Sequence, residues 1–328
     1  MAQTQLHPIW DTYPEVKTEL LAVVDLMEAN INLADSDVKT AIIDMIKHGG
    51  KMLRPAYTLL MSAFHETDRK KMIALAAAIE TLHTASLVHD DIIDDAPTRR
   101  HQQSIQHQFG KDVAVYAGDY LFVVVFRMLS TYHNDLKSVQ VDTGYLDRIL
   151  GGELQQKSSR YNYEMTIDTY LKQINGKTAE LFGLATTVGA MESGASTAFT
   201  SLAKSIGVNI GMAFQIMDDI LDYDESSVQI GKPTMEDLRQ GVYSAPLIYA
   251  MTVSPTEILP LLKQEAAMTD AQAQQVDELV KTAGGVMSAK ALAQKYTDDA
   301  LRGIAQLPTH PAKDVLLELT TKLLDRRD

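Results

Sequence analysis

Two short acidic runs carry most of the chemistry this chain could do. Asp90-Asp91-Ile92-Ile93-Asp94 and Asp218-Asp219-Ile220-Leu221-Asp222 both read D-D-x-x-D, and each follows a long apolar stretch. On a helix, residues four apart lie about 40° apart on one face, so Asp90 aligns with Asp94 and Asp218 with Asp222. Asp91 flanks the first pair, and His83 falls on the Asp90 line two turns earlier. A row of oxygen ligands on a rigid helix suits a hard cation. A helix C-terminus carries partial negative charge, so acidic runs there are locally unfavourable. A solvated helix end would account for one such run, but two copies of a disfavoured arrangement argue for a shared task. Two such helices face to face would set six carboxylates around one cavity, a setting for several Mg2+ ions. Mg2+ completes its shell with water and substrate phosphate oxygens, which points to a diphosphate-bearing guest.

The basic residues fit that guest. Lys51, Arg54, Arg99, Arg100, Lys177 and Lys232 all lie in turns or beside Gly and Thr, off the usual amphipathic faces. Arg forks grip phosphate oxygens bidentately and Lys acts as a point charge. Any one of them alone reads as a surface cation; the set does not. Gly49-Gly50-Lys51 is not a P-loop, because the four-residue spacing and the Ser or Thr after Lys are missing.

The formal net charge of −13, from 30 basic and 43 acidic residues, argues against nucleic acid as partner. With no cysteine, thiolate metal sites, disulfides and cysteine nucleophiles are excluded. The N-terminal M-A-Q-T-Q-L-H-P-I-W lacks the basic start and apolar block of a signal peptide. No apolar run reaches about 18 residues, so no transmembrane helix is expected and a cytoplasmic protein is the default.

The positioning elements read as helices throughout. Residues from about 10 to 47 give two helices broken near Asn32–Asp37, the second ended by Gly49-Gly50 in left-handed geometry. Pro55 suits the first position of a helix over 56–65. A polar break at Glu66–Lys70 precedes the helix of the first acidic run, which Pro97 stops. Residues 111–133 form an almost wholly apolar and therefore buried helix. Helices over 138–160, 166–190 and 197–224 follow, then a turn at Ile230–Thr234. The remainder, 258–325, is helix broken at Met268–Asp270, Gly284-Gly285 and Pro308–Pro311. No segment alternates convincingly as a strand, and one all-α domain spanning 1–328 is the economical reading.

In these residues the chain resembles the polyprenyl synthetase family, the trans-isoprenyl diphosphate synthases. The resemblance runs in order through G-G-K-M-L-R-P at 49–55, H-T-A-S-L-V-H-D-D-I-I-D at 83–94 and R-R at 99–100. It continues through G-E-L-Q-Q at 152–156, K-T at 177–178, F-Q-I-M-D-D-I-L-D at 214–222 and G-K-P at 231–233. It implies an isoprenoid synthase-type bundle of helices around a deep central cavity, as a homodimer or with a small regulatory subunit. Asp90 and Asp94, helped by Asp91, would hold Mg2+ on an allylic diphosphate. Asp218, Asp219 and Asp222 would complete the cluster from the opposite wall, with three Mg2+ ions once substrate is bound and Mn2+ as an alternative ion. Arg99, Lys177 and Lys232 would bind the allylic diphosphate, with Thr178 and Gln215 alongside. Lys51, Arg54, His83 and Arg100 would bind isopentenyl diphosphate. The implied reaction is ionisation, condensation and elimination, with farnesyl or geranylgeranyl diphosphate as primer.

Some positions depart from the family pattern. His101-Gln102-Gln103-Ser104 follows Arg99-Arg100 where a Gly is common, Met52 stands where many members have Arg, and Ala245 where Leu is usual. The residues four and five before the first motif, Ser86 and Ala85, are small. In the family such residues let the chain grow past this level, so a medium or long product beyond geranylgeranyl is expected, and Ala85→Phe should shorten it. Three alternatives compete: the catalytic subunit of a two-component synthase, a short-chain farnesyl or geranylgeranyl synthase, and a non-enzymatic metal-binding helical protein. A terpene cyclase is disfavoured because Lys51, Arg54 and Arg100 imply a second diphosphate site.

Overall fold

The computed structural model describes residues 4, 6–100, 102–131, 144, 147, 151, 154, 159–223 and 235–324. A 3-10 turn at Pro8–Thr12 leads into α1 (Pro14–Ala29), α2 (Ser36–Lys47), α3 (Leu53–Ser62) and α4 (Arg69–Ile93). A two-residue antiparallel ladder, β1 (Thr98–Arg99) with β2 (Gln102–Gln103), comes before α5 (Ile105–Phe109) and α6 (Lys111–Ser130). Next are α7 (Ile167–Ile174), a π-helical turn at Asn175–Ala179, α8 (Glu180–Glu192) and α9 (Thr197–Leu221). The chain then forms α10 (Glu236–Arg239), α11 (Ala245–Val253), α12 (Pro255–Leu262), α13 (Asp270–Thr282), α14 (Gly285–Ala305) and α15 (Pro311–Leu324). Lys232 and most of the helix expected over 138–160, including all of its G-E-L-Q-Q motif but Leu154, lie outside the described residues.

The chain divides into two compact units. The first comprises Met1–Val141, Leu184–Lys204 and Pro308–Leu316; the second comprises Asp142–Gly183, Ser205–Leu307 and Leu317–Asp328.

In the first unit α4 is the axis, and α1, α3, α5 and α6 all pack on it. Its middle is alanine-rich, with Ala74, Ala76, Ala77 and Ala78 fully enclosed, so neighbouring helices approach on several sides. Asp68 caps its start by accepting from the Lys70 N–H at 2.9 Å. The end is a Schellman motif. The Asp94 N–H donates to the Asp90 carbonyl and the Ala96 N–H to the Asp91 carbonyl, both at 2.9 Å, with Asp95 left-handed at φ 51° between them. The stop is therefore Asp95, not Pro97, and it falls directly after the acidic run.

Several other expectations need correction here. The left-handed residue after α2 is Met52 (φ 51°), whereas Gly49 and Gly50 are there for room. Pro55 is the third residue of α3, still within the first turn, where its missing N–H costs no helical bond. The only ladder among the described residues is the hairpin turning at Arg100 (φ 52°), too short to show an alternating pattern.

The helix α6 is buried on one face only. Leu121, Val124 and Val125 point inward, whereas Tyr116 is 75%, Val123 58% and Phe126 53% exposed. By length and composition alone, both α4 and α6 could cross a membrane, because isolated polar residues barely lower the mean hydropathy of a long helix. This corrects the expectation that no stretch is apolar enough. The apolar stretch of α4 is 72% buried, as befits a core helix, against 39% for α6.

In the second unit α11, nearly all apolar, is the hub for α7, α12, α13 and α14. The capping box of Thr269 and Gln272 starts α13. Close approach bears on the candidate residues at Gly211 of α9. A Cβ there would lie 2.6 Å from the Ala179 Cα, so only glycine lets this part of α9 lie against the π-turn segment.

Candidate active site

The end of α4, in the first unit, carries one cluster of candidate residues. Asp91 is 2% exposed, and its Oδ1 accepts from Arg99 Nε at 2.7 Å and Arg99 Nη2 at 2.5 Å. Burial raises the Asp91 pKa, and the hydrogen bonds and charge of Arg99 oppose that rise. Asp90 is half-buried and Asp94 exposed. Arg100 leaves the hairpin turn to lie over the α2–α3 connection. A Cβ on Gly50 would sit 3.2 Å from its Nη2 and one on Gly49 3.4 Å from its Nη1. The glycine pair thus leaves room for the Arg100 guanidinium.

The cations expected around Arg100 share one electrostatic neighbourhood. Loss of water lowers the Arg54 pKa to about 10, with Glu80 raising it and Arg100 lowering it further. Burial together with the charges of Arg54, Arg100 and Arg99 holds His83 well below the usual imidazole range, so its ring is neutral at pH 7. Ser86 Oγ donates to the His83 carbonyl at 2.8 Å; Ser86 is half-buried and Ala85 fully buried. The backbone of Lys51 is pinned by the single tryptophan, whose Nε1 donates to its carbonyl at 2.8 Å. Beside Asp91, Arg99 and Arg100 opens a cavity of about 400 Å3, whose far wall is Ala41, Asp44, Met45 and His48 of α2 and its C-cap. Lys51, Arg54 and His83 are not among its lining residues.

The end of α9, in the second unit, carries the other cluster. Gly211, Gln215 and Asp219 fall four apart on one line of the helix. Because Gly211 admits Ala179, Thr178 reaches the α9 face and its Oγ1 donates to Gln215 Oε1 at 2.6 Å. Gln215 Nε2 in turn donates to Asp219 Oδ1 at 2.8 Å, and Tyr170 Oη of α7 donates to Asp219 Oδ2 at 2.6 Å. Asp219 is 8% exposed. Burial raises its pKa to about 7 against the hydrogen bonds of Tyr170 and Gln215, and the charges of Asp237 and Asp218 add to the rise. Asp218 is exposed, and Asp222 and Lys177 are half-buried. Lys177 stands at the centre of the π-helical turn, a local unwinding that proteins often place at functional sites.

The two runs are built alike. In each, the second aspartate is buried and engaged inside the protein, while the first and third, four residues apart, are less buried, one of them half-buried and the other exposed. Among the described residues no three carboxylate or imidazole groups converge to cage an ion by themselves. An ion that takes one or two carboxylates and fills its shell with water and phosphate oxygens fits such pairs, as Mg2+ does. Sequence reasoning missed Glu80, Tyr170 and Trp10. Glu80 could have been noticed, since it is the lone carboxylate in an apolar stretch, three residues before His83.

A helical chain with two acidic helix ends, one holding an arginine and the other a glutamine, has the features of an enzyme that handles anionic substrates through divalent ions. The chain matches the Polyprenyl synthetase family over residues 35–283 and belongs to it. It is 32% identical over 308 residues to "Heptaprenyl diphosphate synthase component 2" of Geobacillus stearothermophilus, covering 94% of this chain and 95% of that protein. Among solved structures, a geranylgeranyl pyrophosphate synthase from Lactobacillus brevis superposes with a TM-score of 0.93 at 42% identity, over 97% of this chain and 99% of that one. A polyprenyl synthase from Caulobacter crescentus, solved with calcium and isoprenyl diphosphate, gives a TM-score of 0.89 at 28% identity, over 96% and 97%. The protein is accordingly a prenyltransferase.

Proposed function

We propose that this enzyme joins isopentenyl diphosphate head to tail to farnesyl or geranylgeranyl diphosphate and builds a medium- or long-chain all-trans polyprenyl diphosphate. The observation that carries the reading is the repeated helix-end design. Each helix end carries a carboxylate pair that is not fully buried, Asp90/Asp94 or Asp218/Asp222, and a buried aspartate holding a group suited to phosphate, Arg99 or Gln215. Bound Mg2+ would supply the positive charge that makes diphosphate a good leaving group. Arg99 and Lys177 would orient the allylic diphosphate, and Lys51, Arg54 and Arg100 would hold isopentenyl diphosphate beside it. As the allylic C–O bond breaks, the electron pair leaves with diphosphate. The isopentenyl double bond then attacks the allylic cation, and a proton passes to the released diphosphate. Neutral His83 would act in this scheme as an N–H donor rather than a cation.

Small Ala85 and Ser86, together with the heptaprenyl synthase component among the relatives, support the longer product. A second reading, a geranylgeranyl product, is favoured by the 42% identity to the Lactobacillus brevis enzyme. Incubating the purified chain with farnesyl and isopentenyl diphosphates, with and without Mg2+, and chromatographing the product decides both questions. Products longer than C20 that require the ion are expected; a product ending at C20 supports the second reading, and no product under any divalent ion overturns the first. Ser86 lies on the Asp90 line, so Ser86→Phe should shorten the product with little loss of fold. Ala85→Phe should also shorten it, at a greater cost in stability because Ala85 is fully enclosed.

A further inference from the structure

We infer that Tyr170 is a positioning residue for the allylic diphosphate and acts through Asp219 on the amide of Gln215; this rests on the reading just proposed. Both oxygens of Asp219 are engaged inside the protein, Oδ2 by Tyr170 and Oδ1 by Gln215. The Gln215 amide is held at its other end as well, because its Oε1 accepts from Thr178. The chain Thr178→Gln215→Asp219←Tyr170 therefore fixes which end of the amide is oxygen and which is nitrogen. One Nε2 hydrogen is used on Asp219 and the other remains to donate. An anion meets an N–H in this orientation, whereas a flipped amide would present oxygen to it. Tyr170 has no acidic or basic function in this scheme. Its hydroxyl, 3% exposed with the rest of the side chain and 49 residues from Asp219, keeps the carboxylate facing Gln215.

Tyr170→Phe removes only that hydroxyl and leaves the ring packing in place. The test compares steady-state constants for each substrate and the melting temperature of wild type and variant. The expected result is a rise of about tenfold in KM for the allylic diphosphate, with KM for isopentenyl diphosphate changed less than about twofold and cooperative melting retained. In the Asp219→Asn background the same change should cost less than about twofold, since the relay is already broken. Thr178→Val, which releases the other end of the amide, should raise the same KM and leave that for isopentenyl diphosphate alone; it serves as the second probe if Tyr170→Phe folds poorly. Unchanged constants in folded Tyr170→Phe, equal rises in both KM values, or full additivity with Asp219→Asn would overturn the inference. A wild-type chain that makes no prenyl product would instead overturn the proposed function beneath it.

Discussion

Removal from water and three nearby guanidiniums keep the His83 imidazole neutral, and this sets its pH behaviour. In the unfolded chain His83 takes up a proton below about pH 6.5, but in the folded chain it does so only at much lower pH. The unfolded state thus binds more protons in that window, and the contribution of this site to stability falls as pH drops below about 6.5. His83→Gln should flatten the slope of melting temperature against pH between about 5 and 6.5. On the proposed role of His83 as a neutral donor, Gln should also keep KM for isopentenyl diphosphate within about threefold, whereas His83→Ala should raise it about tenfold. A Gln variant as impaired as Ala would count against a neutral donor. The alignment of Asp90 with Asp94, and of His83 above them, was legible in the sequence because helical spacing is local. Tyr170 and Trp10 were not, since the groups they serve lie 49 and 41 residues away and no periodicity links them.

Each acidic run has a termination or a close approach that places it. The sequence told where α4 and α9 lie and that their ends are acidic, because long apolar stretches with polar breaks carry that signal. It did not tell that Asp95 would adopt a left-handed conformation usually left to glycine, or that Gly49-Gly50 would leave room for an arginine rather than turn the chain. Both depend on what packs nearby. Gly211 is the clearest test of this kind of dependence. Gly211→Val should drive the α9 segment from Ala179, break the Thr178–Gln215 hydrogen bond and destabilise the fold by about 1–3 kcal/mol. Activity should fall more than tenfold even at temperatures where the variant is fully folded. Gly211→Ala adds only the Cβ and should fall between wild type and Val on both measures. Thermal melts followed beside product formation check the order; an active Val variant would mean that the close approach does not position Gln215.

The apolar side of α6 bears on the molecule as a whole. Composition alone suggested a helix buried all round, because counting apolar residues cannot tell a surface covered by its own chain from one left outward. Tyr116, Val123 and Phe126, with Val115 at 41% exposed, give this helix an outward face that is apolar except for exposed Asp119, on a chain of net charge −13. Charge repulsion between copies works against random association, so a stable contact needs a matched apolar patch. A helix face that meets its own symmetry mate doubles every such contact, which is why we propose a homodimer through α6. Val123→Glu combined with Phe126→Glu should convert a dimer to a monomer by light scattering on a sizing column, with α4 still packed against the buried face and helicity unchanged. Wild type that runs as a monomer, and gains activity only when a second small chain is added, would instead make this the catalytic subunit of a two-component synthase. The relative named as a heptaprenyl synthase component keeps that outcome in view. The activity of the purified chain alone, measured on the same dimer fraction, separates the two arrangements.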